Sequence, residues 1–397
     1  MASIRIKNIG PIRDTGVITL THIMLVIGEQ STGKSTFLKI LCYCRWVEKR
    51  VMIGENINVF NNNGDFVNKM MEFHQLSSDY FSEKSEVEYK GEAVTIRCDG
   101  KKGSVAITSE FEKVRHNTKL SYIPAERNLL SVIPQIDDKY RSSTFNAMFN
   151  SVIEFNEANH IFSREKPLRL SFDGNMEYFH EGANDYVRLL DRNDMQPLPL
   201  EFTSSGVKAA LPLNVIVHYL CQVTGSPSKR TPQMVISDRS LGFEDDVKQN
   251  RTNAYNYPQL FIEEPEQHLY PLSQARLVRD IIAQFSYALK KTGKPGYVFV
   301  TTHSPYILSQ LNVLLKARQA SQKNKLATLN VVPEECILPL SYYSAYFMSK
   351  DGTMENMIDR QTKLIMGEYL DSMDILKWNG REMSSRKGNN KCCEVMQ

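Results

Sequence analysis

Apolar residues follow two distinct patterns in the first part of the chain. Residues 4–9 alternate between apolar and polar side chains, which is typical of a β-strand with one buried face. Residues 23–27 form a continuous apolar run, which predicts a strand buried on both faces of a sheet. Residues 36–47 carry apolar side chains at helical spacing, so we expect a helix directly after this strand.

The same patterns predict further elements along the chain. Residues 94–98 and 105–107 flank an Asp-Gly turn, which predicts a β-hairpin. Residues 137–165 are polar with helical character, and residues 225–257 carry charge runs that indicate a surface insertion. The remaining predictions are strands at 259–263, 296–301, 329–340 and 345–348, and helices at 207–223, 271–291, 305–320 and 358–376.

This order of elements predicts an α/β fold, with a mixed or parallel sheet flanked by helices, a β-rich subdomain and a short helical insertion. We expect an N-terminal lobe at residues 1–135 and a helical or irregular insertion at 136–200. A C-terminal lobe is expected at 201–376, followed by a flexible tail at 377–397.

Composition places the chain among soluble globular proteins. Of its 397 residues, 42% are hydrophobic and 23% are charged, and the net charge of +3 is too small to argue for nucleic acid by itself. Seven cysteines occur without a Cys-x-x-Cys pair or a zinc-ligand spacing, which favours reduced thiols in the cytoplasm. No signal peptide is apparent, and the apolar stretch at 209–223 is shorter than the roughly 20 residues that span a bilayer.

The segment after the first buried strand has the pattern of a phosphate-binding loop, Gly-x-x-x-x-Gly-Lys-Ser. Its backbone amides and the following helix N-terminus favour an anion. We expect Lys34 to hold the β- and γ-phosphates of ATP and Ser35 to ligate Mg²⁺. The predicted nucleotide-binding residues here are Gly28, Glu29, Gln30, Ser31, Thr32, Gly33, Lys34, Ser35 and Thr36.

Two carboxylates and a histidine come at the ends of predicted buried strands. We expect Glu263 to ligate Mg²⁺, directly or through water, and Glu264 to orient or deprotonate the attacking water. The reverse assignment of the two glutamates stays open. His303 ends the next strand, where it is expected to hydrogen-bond the γ-phosphate or the attacking water.

A short polar loop, Ser204-Ser205-Gly206, precedes the helix predicted at 207–223. Alone, such a loop is most often an ordinary turn. Its place between the phosphate-binding loop and the carboxylate strand instead favours a signature loop, whose helix N-terminus faces phosphate. The four motifs in this order indicate an ABC-class ATPase head and set the chain apart from kinases and GTPases, which share only the first motif.

Several segments carry a resemblance to known families. Residues 4–12, which lead to the phosphate-binding loop, resemble the SMC/RecF branch of ABC ATPases. Residues 261–271 and 301–308 are similar to the OLD (overcoming lysogenization defect) family, and residues 122–127 resemble a motif of stand-alone bacterial members. The resemblance covers residues 1–50, 120–130 and 200–376. It implies a homodimer, or a larger assembly, in which two ATP molecules lie between subunits and each signature loop acts on the partner's nucleotide.

The resemblance also bears on the biological role. OLD proteins carry a Toprim nuclease with an Asp-x-Asp motif, and no Asp-x-Asp follows His303 here. The chain therefore resembles stand-alone anti-phage ATPases, such as the ATPase component of PARIS-type systems, which work with a separate nuclease or toxin.

DNA or a phage protein is a further expected partner, and a membrane is not. The alternative is a RecF/SMC-like repair ATPase that binds duplex DNA, whereas the motifs disfavour a transporter subunit. ABC ATPases also have a Q-loop, which carries a glutamine. The candidates for its role in this chain are Gln75, Glu126 and Arg127.

Overall fold

The structure is a computed structural model, and it describes residues 2–61, 65–100, 102–109, 111, 116–132, 146–192, 194–227 and 254–367. The predicted tail at 377–397 and most of the surface insertion predicted at 225–257 lie outside these residues. Within the described ranges, no helix combines the length and the apolar character that crossing a membrane requires.

The described residues form sixteen strands and nine α-helices. The strands are β1 Ser3–Ile9, β2 Ile12–Asp14, β3 Ile18–Thr19, β4 Ile23–Ile27, β5 Phe81–Lys90, β6 Val94–Asp99, β7 Lys102–Ile107, β8 Lys119–Ile123, β9 Leu168–Arg169, β10 Met176–Glu181, β11 Asn184–Leu189, β12 Leu198–Pro199, β13 Pro258–Glu263, β14 Tyr297–Thr302, β15 Tyr343–Met348 and β16 Met354–Asn356. The helices are α1 Lys34–Met52, α2 Asn58–Asn61, α3 Asp65–His74, α4 Leu129–Val132, α5 Ala147–Asn159, α6 Ser205–Val223, α7 Pro271–Thr292, α8 Pro305–Ser321 and α9 Lys325–Leu329.

A six-stranded sheet in the order β16-β15-β4-β14-β13-β8 forms the centre of the fold. Strands β15, β4, β14, β13 and β8 run parallel, and only the edge strand β16 is antiparallel. Strands from both predicted lobes interleave in this one sheet. The α/β class, with a mixed sheet flanked by helices and a β-rich subdomain, is confirmed.

Strand β4 is buried on both faces, as its continuous apolar run predicts. Ile23, Leu25 and Ile27 face one hydrophobic core, which also contains α6, α7 and α8. Met24 and Val26 face the other core, which contains α1 and the N-terminal strands. The central sheet therefore lies between two apolar layers, and its functional side chains can emerge only at the strand ends.

A second sheet, in the order β2-β1-β5-β6-β7 with β3 beside β1, forms the β-rich subdomain. It contains the predicted hairpin as β6 and β7. Helix α1 is bonded to both sheets through Arg45, which donates to Gln259 on β13 at 2.6 Å and to Tyr89 on β5 at 3.2 Å. Because Arg45 is 1% exposed and also pairs with Glu48 at 3.0 Å, its charge is buried but compensated.

The segment at 136–200 differs from the helical or irregular insertion that the sequence predicts. It contains helix α5, but residues 168–199 form a four-stranded antiparallel sheet in the order β12-β11-β10-β9. Two of these strands have only two residues each, so no apolar alternation long enough to reveal them exists in the sequence.

Two other predictions for the C-terminal part are wrong. Residues 329–340 contain no strand, because Pro333 and Pro339 precede short 3-10 turns that interrupt the apolar run. Residues 358–367 are not helical; instead the Asp359 carboxylate accepts the backbone N–H of Gln361 and of Thr362, which closes a turn. Residues 368–376 of that predicted helix lie outside the described chain.

Candidate functional site

Three predicted motifs meet because the strands that carry them are neighbours. Strand β14 lies between β4 and β13, with Thr302 opposite Ile27 and Thr301 opposite Glu263. The phosphate-binding loop follows β4, the carboxylate pair ends β13, and His303 follows β14. Parallel strands place their carboxyl ends at one edge, so these groups share one edge of the central sheet.

The phosphate-binding loop has the backbone geometry of an anion cradle. Ser31 and Gly33 adopt positive φ values of 60° and 104°. The Lys34 ammonium group and the Thr32 hydroxyl both donate to the Glu29 carbonyl, at 2.5 and 2.9 Å. A Cβ on Gly28 would lie 2.3 Å from the Met348 carbonyl oxygen, so only glycine fits where the loop leaves β4.

The predicted loop residues divide into an exposed rim and a buried base. Glu29, Gln30 and Ser31 are exposed, and the Glu29 carboxylate pairs with Lys350 at 2.6 Å. Ser35 is half-buried at the start of α1. The buried base consists of Gly28, Thr32, Gly33, Lys34 and Thr36.

Lys34 has an unusual electrostatic environment. Burial lowers the pKa of its ammonium group to about 8, although Glu264, Glu266 and Glu29 act in the opposite direction. The nearby glutamates therefore do not fully offset the effect of burial on the Lys34 ammonium group. A polyphosphate at the loop would supply that charge.

Glu264 and His303 form a hydrogen-bonded pair at the strand ends. The His303 Nε2–H donates to Glu264 Oε1 at 3.0 Å, and Gln267 donates to Glu264 Oε2 at 3.2 Å. The hydrogen bond from His303 lowers the pKa of the Glu264 carboxyl, against the opposing effect of partial burial. The Glu264 backbone has a positive φ of 40°, a strained conformation of the kind that clusters at functional sites.

Glu263 points into a different environment. Its side chain is buried, and its Oε2 accepts the backbone N–H of Ala125 at 3.1 Å. Among the described residues its Oε1 is buried without a hydrogen-bond partner of good geometry. The Tyr122 hydroxyl is nearby, and its pKa is raised by burial and by the Glu263 carboxylate. A buried carboxylate oxygen without a donor is suited to a cation, so Glu263 fits a Mg²⁺ ligand together with the Ser35 hydroxyl.

The protein supplies only part of a magnesium coordination sphere. Within the described ranges, no group of three or more His, Cys, Asp and Glu side chains is arranged to hold a metal. Mg²⁺ usually takes one or two protein ligands and completes its octahedron with water and phosphate oxygens. The residues present therefore fit Mg²⁺ that enters with a nucleotide.

Glu266 is a further residue of the site, which the predicted motifs did not include. Its Oε1 accepts hydrogen bonds from the Thr302 hydroxyl and from the His303 backbone N–H, both at 2.7 Å, so it holds the backbone that carries the histidine. Within the described part of the chain its Oε2 is buried without a partner, like Oε1 of Glu263. The third glutamate of the run Glu263-Glu264-Pro265-Glu266 is the signal that could have indicated it.

The signature segment lies at the start of α6. Ser204 caps this helix, because its Oγ accepts the backbone N–H of Val207 at 3.4 Å. Ser204 and Ser205 are exposed, and a Cβ on Gly206 would lie 2.8 Å from the His268 carbonyl oxygen. Among the described residues, no hydrogen bond connects this segment to the phosphate-binding loop of the same chain. Its nucleotide contact stays a prediction.

The three Q-loop candidates have different surroundings. Gln75 and Glu126 are exposed, and Gln75 directly follows α3 with a φ of 52°. Arg127 is completely buried beside the carboxylates, where it donates to the Glu263 carbonyl at 2.7 Å and to the Glu264 carbonyl at 2.8 Å. Burial lowers the pKa of Arg127 to about 10, which leaves it charged at neutral pH.

Comparison with protein families identifies the family of this chain. The family model described as "AAA domain, putative AbiEii toxin, Type IV TA system" matches residues 23–309, more than half of the chain. The chain belongs to this AAA domain family. The match begins at β4 and extends past His303, so it includes every predicted motif. The family is consistent with nucleotide binding and with an ATPase-type fold.

Comparison with solved structures gives distant likenesses. The SMC head domain from Thermotoga maritima is 13% identical, with a TM-score of 0.36, covering 78% of this chain and 90% of that one. The SMC head domain from Pyrococcus furiosus, bound to the C-terminal domain of ScpA, is 12% identical, with a TM-score of 0.39, covering 97% of this chain and 100% of that one. No curated protein gives a significant match.

The environment of Lys34 predicts a pH-dependent affinity for ATP. A pKa of about 8 in the free protein means that binding above this pH must take up a proton. Affinity should be constant from pH 7 to 7.5 and then fall, by up to about tenfold for each pH unit well above 8. Calorimetry in buffers of different ionisation enthalpy measures both the affinity and the proton uptake.

The matched control is Lys34→Arg. Its guanidinium stays charged throughout this range, so the variant should bind more weakly but without the pH dependence. If the affinity of the wild-type protein for ATP does not change between pH 7 and 9.5, the assignment of Lys34 as a phosphate-binding residue is contradicted.

Proposed function

We propose that this chain hydrolyses ATP at the sheet edge formed by β4, β14 and β13. The observation that carries the proposal is the Glu264–His303 hydrogen bond beside the phosphate-binding loop. In this assignment Lys34 holds the β- and γ-phosphates, and Ser35 and Glu263 are the protein ligands of Mg²⁺. Bound Mg²⁺ would neutralise charge on the phosphoryl oxygens.

Glu264 is the proposed general base. Its lowered pKa keeps it a carboxylate at neutral pH, and a carboxylate can orient water and accept its proton. His303 donates a hydrogen bond to this carboxylate, which supports a role in orienting it. In this proposal His303 also contacts the γ-phosphate. Glu263 is less suited to the same task, because it is buried and one of its oxygens already accepts a backbone N–H.

Substitution of the two glutamates distinguishes their roles. Glu264→Gln should leave the ATP dissociation constant within about threefold of wild type, because the phosphate contacts remain. Turnover should fall by a factor of about 10² or more, because an amide cannot accept the proton. Calorimetry and a phosphate-release assay measure the two quantities.

Glu263→Gln is the matched comparison. It should weaken Mg²⁺-dependent binding as well as turnover, because a ligand charge is lost. If Glu263→Gln instead abolishes turnover alone while Glu264→Gln weakens binding, the roles of the two carboxylates are reversed.

We further propose that the hydrolysing unit is a homodimer with two ATP molecules between the subunits. The signature serines are exposed at the N-terminus of α6, and a helix N-terminus favours an anion. Large apolar side chains close to the motifs in sequence are exposed as well: Phe202 is 72%, Tyr270 76% and Tyr306 50% exposed. In this proposal the second copy covers these side chains.

A mixture of two inactive variants tests whether the signature acts in trans. Lys34→Ala removes phosphate binding, and Ser204→Arg blocks the signature contact. A mixed dimer has one site with both defects and one intact site, so the mixture should recover up to about a quarter of wild-type ATPase activity if one site works alone. Each variant measured alone is the control. A mixture no more active than its components, despite confirmed mixed dimers, would contradict the arrangement.

The biological role that we propose is the control of a separate effector in anti-phage defence. Two points support it: the resemblance to stand-alone defence ATPases, and the family description, which names a toxin–antitoxin system. Hydrolysis could act on such a partner by changing which conformation of the ATPase is populated.

Purification from the native operon tests this role. We expect the chain to copurify with a nuclease or toxin encoded beside it and to release or activate that protein in a nucleotide-dependent way. The chain alone should hydrolyse ATP without cutting DNA or RNA. The opposite result, no copurifying protein together with tight and salt-sensitive binding to duplex DNA, would favour the repair ATPase.

A further inference from the structure

Arg127 connects the catalytic carboxylates to the signature helix through backbone atoms alone. Its guanidinium donates to the carbonyls of Pro124, Glu263 and Glu264, at 3.1, 2.7 and 2.8 Å. Its Nε donates to the Ala209 carbonyl in the second turn of α6, at 3.0 Å. Arg127 is completely buried, so one rigid fork spans three segments of the chain.

A proline in α6 supplies a second connection at the same place. Pro212 has no N–H, so the carbonyl of Lys208, four residues earlier, lacks its helical donor. The hydroxyl of Ser131 on α4 replaces that donor at 2.9 Å. Ser131 is buried and lies four residues after Arg127, so α4 and Arg127 together hold consecutive carbonyls of α6.

Further hydrogen bonds connect these contacts to Ser204 in the signature segment and to Glu264, the proposed general base. The Lys208 backbone N–H donates to the carbonyl of Ser204, the helix cap in the signature segment, at 3.0 Å. At the other end, Arg127 bonds the peptide of Glu264, which has the strained φ of 40°. The signature cap and the proposed general base are therefore separated by a short series of hydrogen bonds.

We propose that Arg127 is a positioning residue which, with Ser131, couples the position of the signature helix to the orientation of Glu264. The inference rests on the proposed function. When a second subunit's nucleotide engages the α6 N-terminus, movement of the first turns of α6 shifts the Ala209 and Lys208 carbonyls. Arg127 transmits this shift to the Glu264 peptide, so hydrolysis is fast only in the closed dimer.

The first test is Arg127→Lys. One ammonium group cannot reach carbonyls on opposite sides at once, although charge is kept. ATP affinity and ATP-driven dimer formation, measured by calorimetry and light scattering, should stay within about threefold of wild type. Turnover per dimer should fall at least tenfold, so turnover per chain should rise far less than in wild type as dimers form with increasing protein concentration.

The second test separates coupling from stability. Ser131→Ala leaves the buried Lys208 carbonyl without a donor, so the melting temperature should fall. Adding Pro212→Ala supplies a backbone N–H for that carbonyl, so the double variant should regain the melting temperature of wild type. The connection from α4 to α6 is still missing, so turnover per dimer should remain about threefold or more below that of Pro212→Ala alone.

The outcomes distinguish this inference from the proposed function. If the wild-type chain neither dimerises with ATP nor hydrolyses it, the proposed function is wrong. If wild type does both and Arg127→Lys keeps full turnover per dimer, the coupling role is overturned. It is also overturned if turnover in the Ser131 and Pro212 variants simply follows their melting temperatures. Should Arg127→Lys fail to fold, the Ser131 and Pro212 variants decide the question alone.

Discussion

The parallel pairing of β14 with both β4 and β13 is the constraint on which the site depends. Because β14 is the middle strand, the loop after β4 and the carboxylates after β13 lie on either side of His303. A shift of one residue in either register would turn every side chain of a strand to the other face. The two hydrophobic cores prevent such a shift, because both faces of these strands are already filled.

Burial of charge sets the chemical character of this edge. Lys34 is 4% exposed, and its pKa is lowered although three glutamates lie within electrostatic reach. Glu263 and Glu266 each keep one buried oxygen that has no hydrogen-bond donor among the residues that the structure describes. Lys34 forms no ion pair with a described carboxylate, and its ammonium group donates to the Glu29 carbonyl instead. A nucleotide with its metal supplies opposite charge to Lys34 and to the carboxylates, which makes the edge suited to that ligand.

The neighbourhood of the site is held together largely by contacts between side chains and backbone. Glu266 bonds the His303 N–H, and Arg127 bonds carbonyls from three segments. Charge-assisted hydrogen bonds of this kind are stronger than neutral ones and fix geometry in a buried environment. The strained φ of Glu264 persists because such contacts surround it.

The sequence alone determined the elements that carry the motifs and most of the helices that flank them. Buried strands and amphipathic helices have periods that local sequence shows directly, and the phosphate-binding loop is defined by its own spacing. Residues 329–340 and 168–199 lack a clear periodic signal, because prolines interrupt the first segment and two of the strands in the second have only two residues each. Only the tertiary structure decided that β14 separates the other two motif strands, that Glu266 belongs to the site, and that Arg127 is the Q-loop candidate that bonds the carboxylate segment. Strand order depends on distant pairing, and the partners of these two side chains include backbone atoms, whose positions no residue pattern records.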